Sequence, residues 1–186
     1  MGRRILFSGV CATVLLAALV FAGQVEAAGP REFGLSVGVD LTQQNAYYVS
    51  QYTPNTLGGQ FDSARLAVGG YADLAKVFLP QMRLVLATDA IIESDLKIFS
   101  AVGEVRYLFA QRGKSNGYAG GGIGVHFLRP DAGQNDTRIS LNIPVGFQRK
   151  LSESMGWFGE MRFVIADQQA DSSFRFSLGL TFGSGD

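Results

Sequence analysis

Between residues 173 and 182, Phe174, Phe176, Leu178, Leu180 and Phe182 take every even position, and Ser173, Arg175, Ser177, Gly179 and Thr181 every odd one. A period of two marks a strand with two unlike faces. The pattern recurs at 33–41, where Phe33, Leu35, Val37, Val39 and Leu41 oppose Gly34, Ser36, Gly38 and Asp40. It returns at 138–150, where Ile139, Leu141, Ile143, Val145 and Phe147 oppose Arg138, Ser140, Asn142, Pro144, Gly146, Gln148 and Lys150. In all, the spacing predicts eight strands: 33–41, 63–73, 81–89, 96–109, 117–128, 138–150, 156–166 and 173–182. Each is close to the ~9–11 residues that a tilted strand needs to cross a bilayer, and the number is even. Between them lie Gly, Asn, Asp, Ser and Pro, as at 111–117 and 130–136, and no helical periodicity follows the N-terminal segment.

That segment, residues 1–28, opens with Arg3 and Arg4, runs through apolar residues 10–22 and ends in Val25, Glu26, Ala27 and Ala28. This is the order of a signal peptide, with cleavage expected near Ala27 or Ala28. Its apolar run falls short of the ~20 residues a spanning helix needs. Residues 29–186 are then expected to form one outer-membrane β-barrel domain. The single cysteine, Cys11, precedes most of the apolar run, so it is not a lipoprotein cysteine, and the mature chain has no thiol for disulfides, thiolate chemistry or cysteine-bound metals. Removing Arg3 and Arg4 from 16 basic residues and Glu26 from 16 acidic ones leaves 14 against 15. A near-neutral chain is not built to bind nucleic acid.

Alternation alone does not say which face points inward, since a soluble ligand-binding barrel would invert the two. The small residues decide. The polar face is crowded with Gly and Ser and also holds charge pairs, which suits a narrow interior. In 156–166, Trp157, Met161, Phe163 and Ile165 oppose Glu160 and Arg162. The segments Gly103-Glu104-Val105-Arg106-Tyr107 and Gly159-Glu160-Met161-Arg162-Phe163 repeat one pattern, each with Glu and Arg opposite the aromatic ring. With Arg65, Arg83, Arg138 and Arg175 they are expected to form a lumen charge network, because a lone buried charge costs several kcal/mol. Structural filling of a narrow lumen is the favoured role for this network, ahead of a gated ion path. Glu104 and Glu160, held ionised by basic neighbours, are poor acid/base candidates.

The glycine run 120–124 lacks the following helix and Gly-Lys-Ser/Thr of a nucleotide loop, and reads as strand glycines. His126 is the sole histidine, and Leu128 stands two residues after it. With no nucleophile nearby in sequence, it reads as a lumen hydrogen-bonder. No catalytic, cofactor or metal residues are assigned; the acidic segments 93–95 and 131–136 lack calcium-loop spacing.

The run 117–127, the strand ending Val145-Gly146-Phe147-Gln148, the Glu160-Met161-Arg162-Phe163 strand and the closing 177–182 segment resemble the outer-membrane β-barrel domain family, the small eight-stranded OmpA/OmpX-like barrels. The resemblance implies an all-β, antiparallel, up-and-down transmembrane barrel of a Gram-negative type cell. Members commonly end on an aromatic residue read by the barrel assembly machinery; here Phe182 is followed by Gly183, Ser184, Gly185 and Asp186.

With both termini in the periplasm, loops around 42–62, 89–95, 129–137 and 167–172 face outward. The first holds Tyr47, Tyr48 and Tyr52 as candidate headgroup anchors or partner contacts. Trp157, Tyr107, Phe109 and Phe182 fall near the inner rim. The expectation is a monomeric, non-enzymatic outer-membrane barrel without cofactor, serving envelope integrity or surface interaction. Its expected partners are outer-membrane lipid, lipopolysaccharide and, during insertion, the assembly machinery. Alternatives are a narrow ion or small-solute channel, a soluble periplasmic lipocalin-like carrier of hydrophobic ligands, and a lipid-modifying enzyme.

Overall fold

In the computed structural model, residues 31–42, 63–92, 96–130, 136–166 and 172–183 are described. The expected signal peptide, the anchor tyrosines Tyr47, Tyr48 and Tyr52, and residues 184–186 lie outside the described residues. Eight strands follow in order: β1 (Glu32–Thr42), β2 (Ser63–Lys76), β3 (Met82–Ile92), β4 (Leu96–Arg112), β5 (Ser115–Pro130), β6 (Asp136–Lys150), β7 (Met155–Ala166) and β8 (Ser173–Gly183). Each pairs antiparallel with the next, and β8 returns to β1, closing the barrel without a crossover. Closure leaves no sheet edge, which is what a strand structure in lipid requires.

The period of two sets the two surfaces. Leu35 and Leu178 are 64% and 65% exposed, and the large apolar side chains of every strand form an outer band. Asp40, Glu104, Arg106, Glu160, Arg162 and Arg175 are buried inside. The apolar face is therefore the outer one, which removes the lipocalin-like alternative: the lumen is polar and ion-paired at its centre, not an apolar ligand cavity. Outward aromatics gather at both ends. Phe163, Phe174 and Phe176 pack with ring centroids 4.7 and 4.6 Å apart toward the long-loop end. Phe147 and Trp157 meet at 5.8 Å toward the short-turn end, where Tyr107, Phe109 and Phe182 also face outward. Two aromatic girdles bounding an apolar band are the mark of a bilayer-spanning barrel.

Strand ends differ from the sequence reading at both ends of the barrel: β3 runs on to Ile92, β5 to Pro130 and β6 begins at Asp136, so parts of the expected outward loops 89–95 and 129–137 are strand, and the short turns are tighter too. β2 runs on to Lys76, with a bulge between Asp73 and Ala75, and β4 runs on to Arg112, with an irregularity after Phe109. The β4–β5 connection is thus a tight turn at Gly113 and Lys114, with Gly113 at φ 59°. A left-handed backbone suits glycine because it has no Cβ to clash.

The interior is also less uniformly polar than the glycine-rich face suggests. Tyr71, Val85, Ala87 and Val102 on β2–β4 pack with Phe158, which reaches across the lumen from β7, and Ala67, Ile91, Ile98 and Leu128 form a second apolar cluster near the long-loop mouth. Strand parity already puts these side chains inward, but the small residues opposite them leave the room they fill. Gly34 shows this: a Cβ there would stand 2.1 Å from the ring of Tyr71.

Candidate functional site

The lumen is bridged from wall to wall at its centre. Glu104 and Arg106 on β4 face Glu160 and Arg162 on β7, each pair sharing a side because its members are two residues apart. Arg106 Nη2 lies 2.5 Å from Glu104 and 3.1 Å from Glu160. Arg162 Nη2 lies 2.8 Å from Glu160 and 3.2 Å from Glu104. Two cations and two carboxylates thus form a closed square spanning the barrel. The Arg106 guanidinium also lies between two rings, 4.7 Å from the centroid of Tyr71 and 4.9 Å from that of Tyr118. Tyr118 Oη donates to Glu160 Oε2 at 2.8 Å. Such a square offsets the desolvation of its four charges, which no member could sustain alone.

Toward the long loops, Arg175 Nη1 crosses to Asp89 on β3 at 2.8 Å, while its Nε donates to Asp40 on β1 at 3.1 Å. Ser173 Oγ donates to the same Asp40 carboxylate at 3.0 Å. Arg65 is buried at the register position opposite Asp40. Arg138 does not join the central square; it pairs with Asp136 at the mouth, 2.6 Å away. Toward the short turns, Arg83 bridges Asp73 at 3.3 Å. There Glu32 accepts from Tyr71 Oη and, at 2.7 Å, from Gln148 Nε2. A cavity of about 40 Å³ remains among Glu32, Tyr71, Asp73, Arg83 and Gln148. It is large enough for water and polar enough to hold it.

The eight charged residues singled out from the sequence therefore divide. Glu104, Arg106, Glu160 and Arg162 meet directly, Arg175 adjoins them through Asp89, which Arg162 Nη1 also approaches at 4.0 Å, Arg65 lies buried opposite Asp40 on the β1–β2 ladder, and Arg83 and Arg138 serve separate pairs at opposite ends. The acidic partners Glu32, Asp73 and Asp89 were not singled out. Face parity was the available signal: Asp73 lies two residues after Tyr71, and Asp89 six after Arg83.

His126 is a lumen hydrogen-bonder, as its place on the inner face leads one to expect. Its hydroxyl partner comes from the neighbouring strand, Ser140 of β6, with Nε2 and Oγ 2.5 Å apart. Asn142 Nδ2 also donates to that oxygen, at 2.8 Å. A search along the sequence misses this pair because it is made across the β5–β6 ladder, where His126 stands opposite Arg138. A serine hydroxyl on an imidazole is the first half of a nucleophile–base pair. Here both groups are buried in the lumen, 6% and 3% exposed.

No protein-family model matches the sequence, and no curated protein does either. Solved structures do match. Neisserial surface protein A superposes with a TM-score of 0.62 at 13% identity, over 84% of this chain and 97% of that one. The N-terminal β-barrel domain of Pseudomonas aeruginosa OprF does so with a TM-score of 0.56 at 12% identity, over 83% of this chain and 98% of that one. At such identities the likeness is one of fold, and the fold is that of the small eight-stranded outer-membrane barrels.

Proposed function

We propose that this chain is exported behind a cleaved signal peptide and inserted into the outer membrane of a Gram-negative type cell. There it acts as a monomeric, non-enzymatic barrel in envelope integrity or surface contact. The observation that carries this reading is the pairing of an outward apolar band with a lumen closed by the Glu104–Arg106–Glu160–Arg162 square. A wall of that kind needs lipid, and charged side chains joined across the lumen suit structural filling of the interior ahead of an open pore. Interaction then falls to the long-loop end, with outer-membrane lipid and lipopolysaccharide as the immediate partners and the assembly machinery engaged during insertion.

Fractionation of cells expressing the full-length chain tests this. The expected result is a detergent-dependent outer-membrane band whose gel mobility changes on boiling. A band that remains in the periplasmic buffer fraction would overturn the proposal.

A further inference from the structure

The short-turn rim gathers cations on one side. Arg112 closes β4 against Ser115 of β5, and Ser115 in turn pairs with Arg149 of β6. Lys114 sits in the turn between β4 and β5, where its carbonyl accepts from the Lys150 N–H at 2.8 Å. Arg112, Lys114 and Arg149 are all exposed. Among the described residues no carboxylate bonds to any of the three: Asp73 pairs with Arg83, Glu32 accepts from Tyr71 and Gln148 in the lumen, and Glu153 is exposed in the β6–β7 turn. Like charges on neighbouring ladder positions repel, and an anion between them relieves what the chain itself does not. The sign is particular to this end. Residues 43–62, 93–95, 131–135 and 167–172, which join strands at the long-loop end, include acidic side chains and no Lys or Arg.

On the membrane side of these cations the wall is aromatic. Arg149 stands opposite Trp157, and Phe147, two residues before Arg149 on the same outward face, meets the Trp157 ring at 5.8 Å. In the register Gly117 lies between Phe147 and Phe109. The Phe109 ring covers that glycine, since a Cβ there would come within 2.7 Å of it. Three rings thus line β4 to β7 directly inside the charged rim. A strand rise of about 3.3 Å per residue carries Arg149 about 7 Å past Phe147 toward the rim. Rings of this kind sit at headgroup level, so the cations fall at the depth of lipid phosphates.

From this juxtaposition we propose that the β4–β6 rim is a binding site for an anionic phospholipid of the periplasmic leaflet, its phosphate among Arg112, Lys114 and Arg149 and an acyl chain against Phe109, Phe147 and Trp157. The inference rests on the membrane reading above. Clustered cations beside a membrane surface attract anionic headgroups, and the rings below hold the lipid at the depth where its phosphate meets them. A zwitterionic lipid offers the same chain contacts without the net charge.

The test uses the full barrel in phosphatidylcholine vesicles, with heat-modifiable gel mobility checked first so that failure to insert is recognised as failure of the membrane reading. The probe is phosphatidylglycerol brominated on one acyl chain, set against phosphatidylcholine carrying the same chain at the same minor fraction. Quenching of Trp157, the only tryptophan and the residue opposite Arg149, reports which lipid stands at the rim. Inserted wild type is expected to favour phosphatidylglycerol by about threefold or more. Arg112→Gln/Lys114→Gln/Arg149→Gln is expected to bring the two lipids to parity. Lys97→Gln/Arg129→Gln, which removes an opposed pair of exposed cations at the long-loop end, is expected to keep the preference. Equal quenching by the two lipids in inserted wild type, or a preference that survives the three rim substitutions, would overturn the proposal.

Discussion

Replacing Arg106 by methionine removes one corner of the central square while keeping most of the side-chain volume. Arg106 is 5% exposed and touches Glu104 at 2.5 Å, Glu160 at 3.1 Å and two aromatic faces at 4.7 and 4.9 Å. Without it, two buried carboxylates share Arg162 alone. Leaving a buried charge uncompensated costs about 3–5 kcal/mol. The two ring contacts add about 0.5–2 kcal/mol each when desolvated. Water entering from the adjoining cavity of about 40 Å³ returns part of that. The expected loss for Arg106→Met is therefore about 3–5 kcal/mol, and adding Glu160→Gln should recover about 1.5 kcal/mol or more, because the surplus negative charge goes with it. Urea unfolding in phospholipid vesicles measures both, followed by gel mobility and by the fluorescence of Trp157, the only tryptophan. A loss below about 1 kcal/mol, the range of exposed ion pairs, would refute the claim that the square is a desolvated network.

Three further outcomes follow from the same geometry. Gly34→Ala should destabilise the barrel by about 1–3 kcal/mol, since its methyl would strike the Tyr71 ring, whereas Gly103→Ala, with open space beside it, should change stability by no more than about 0.5 kcal/mol in the same assay. Leu178→Arg places a charge on the outer band and should cost about 2–4 kcal/mol if that site lies near the bilayer midplane; a neutral result would place that face in water. In planar bilayers the wild-type protein should show no sustained conductance, and Arg106→Ala combined with Arg162→Ala should introduce a leak; a steady wild-type current would show that the bridges do not close the lumen.

The resemblance drawn from diffuse motifs named a fold, and the solved structures agree with it at that level. The strand boundaries agree within a few residues because a side-chain period of two is a local property, set by successive Cβ atoms pointing to opposite faces. Most of the differences lie at the turns, where β2 and β4 extend through irregularities that no alternation announces. The repeated Glu-x-Arg units were legible as a candidate site for the same reason. Which of the six arginines they would meet was not: Arg138, given the same face as Arg162, bonds to a mouth aspartate instead.

What the sequence by itself determined is each strand, its two faces and the sign of every inward charge, because these depend only on spacing and side-chain chemistry. What the tertiary structure decided is every contact between strands far apart in the chain: Arg175 with Asp89, Arg106 with Glu160. Those depend on where eight strands stand when the barrel closes and how far each is shifted along its neighbour. That shift is a property of the whole ring, fixed only when β8 pairs with β1.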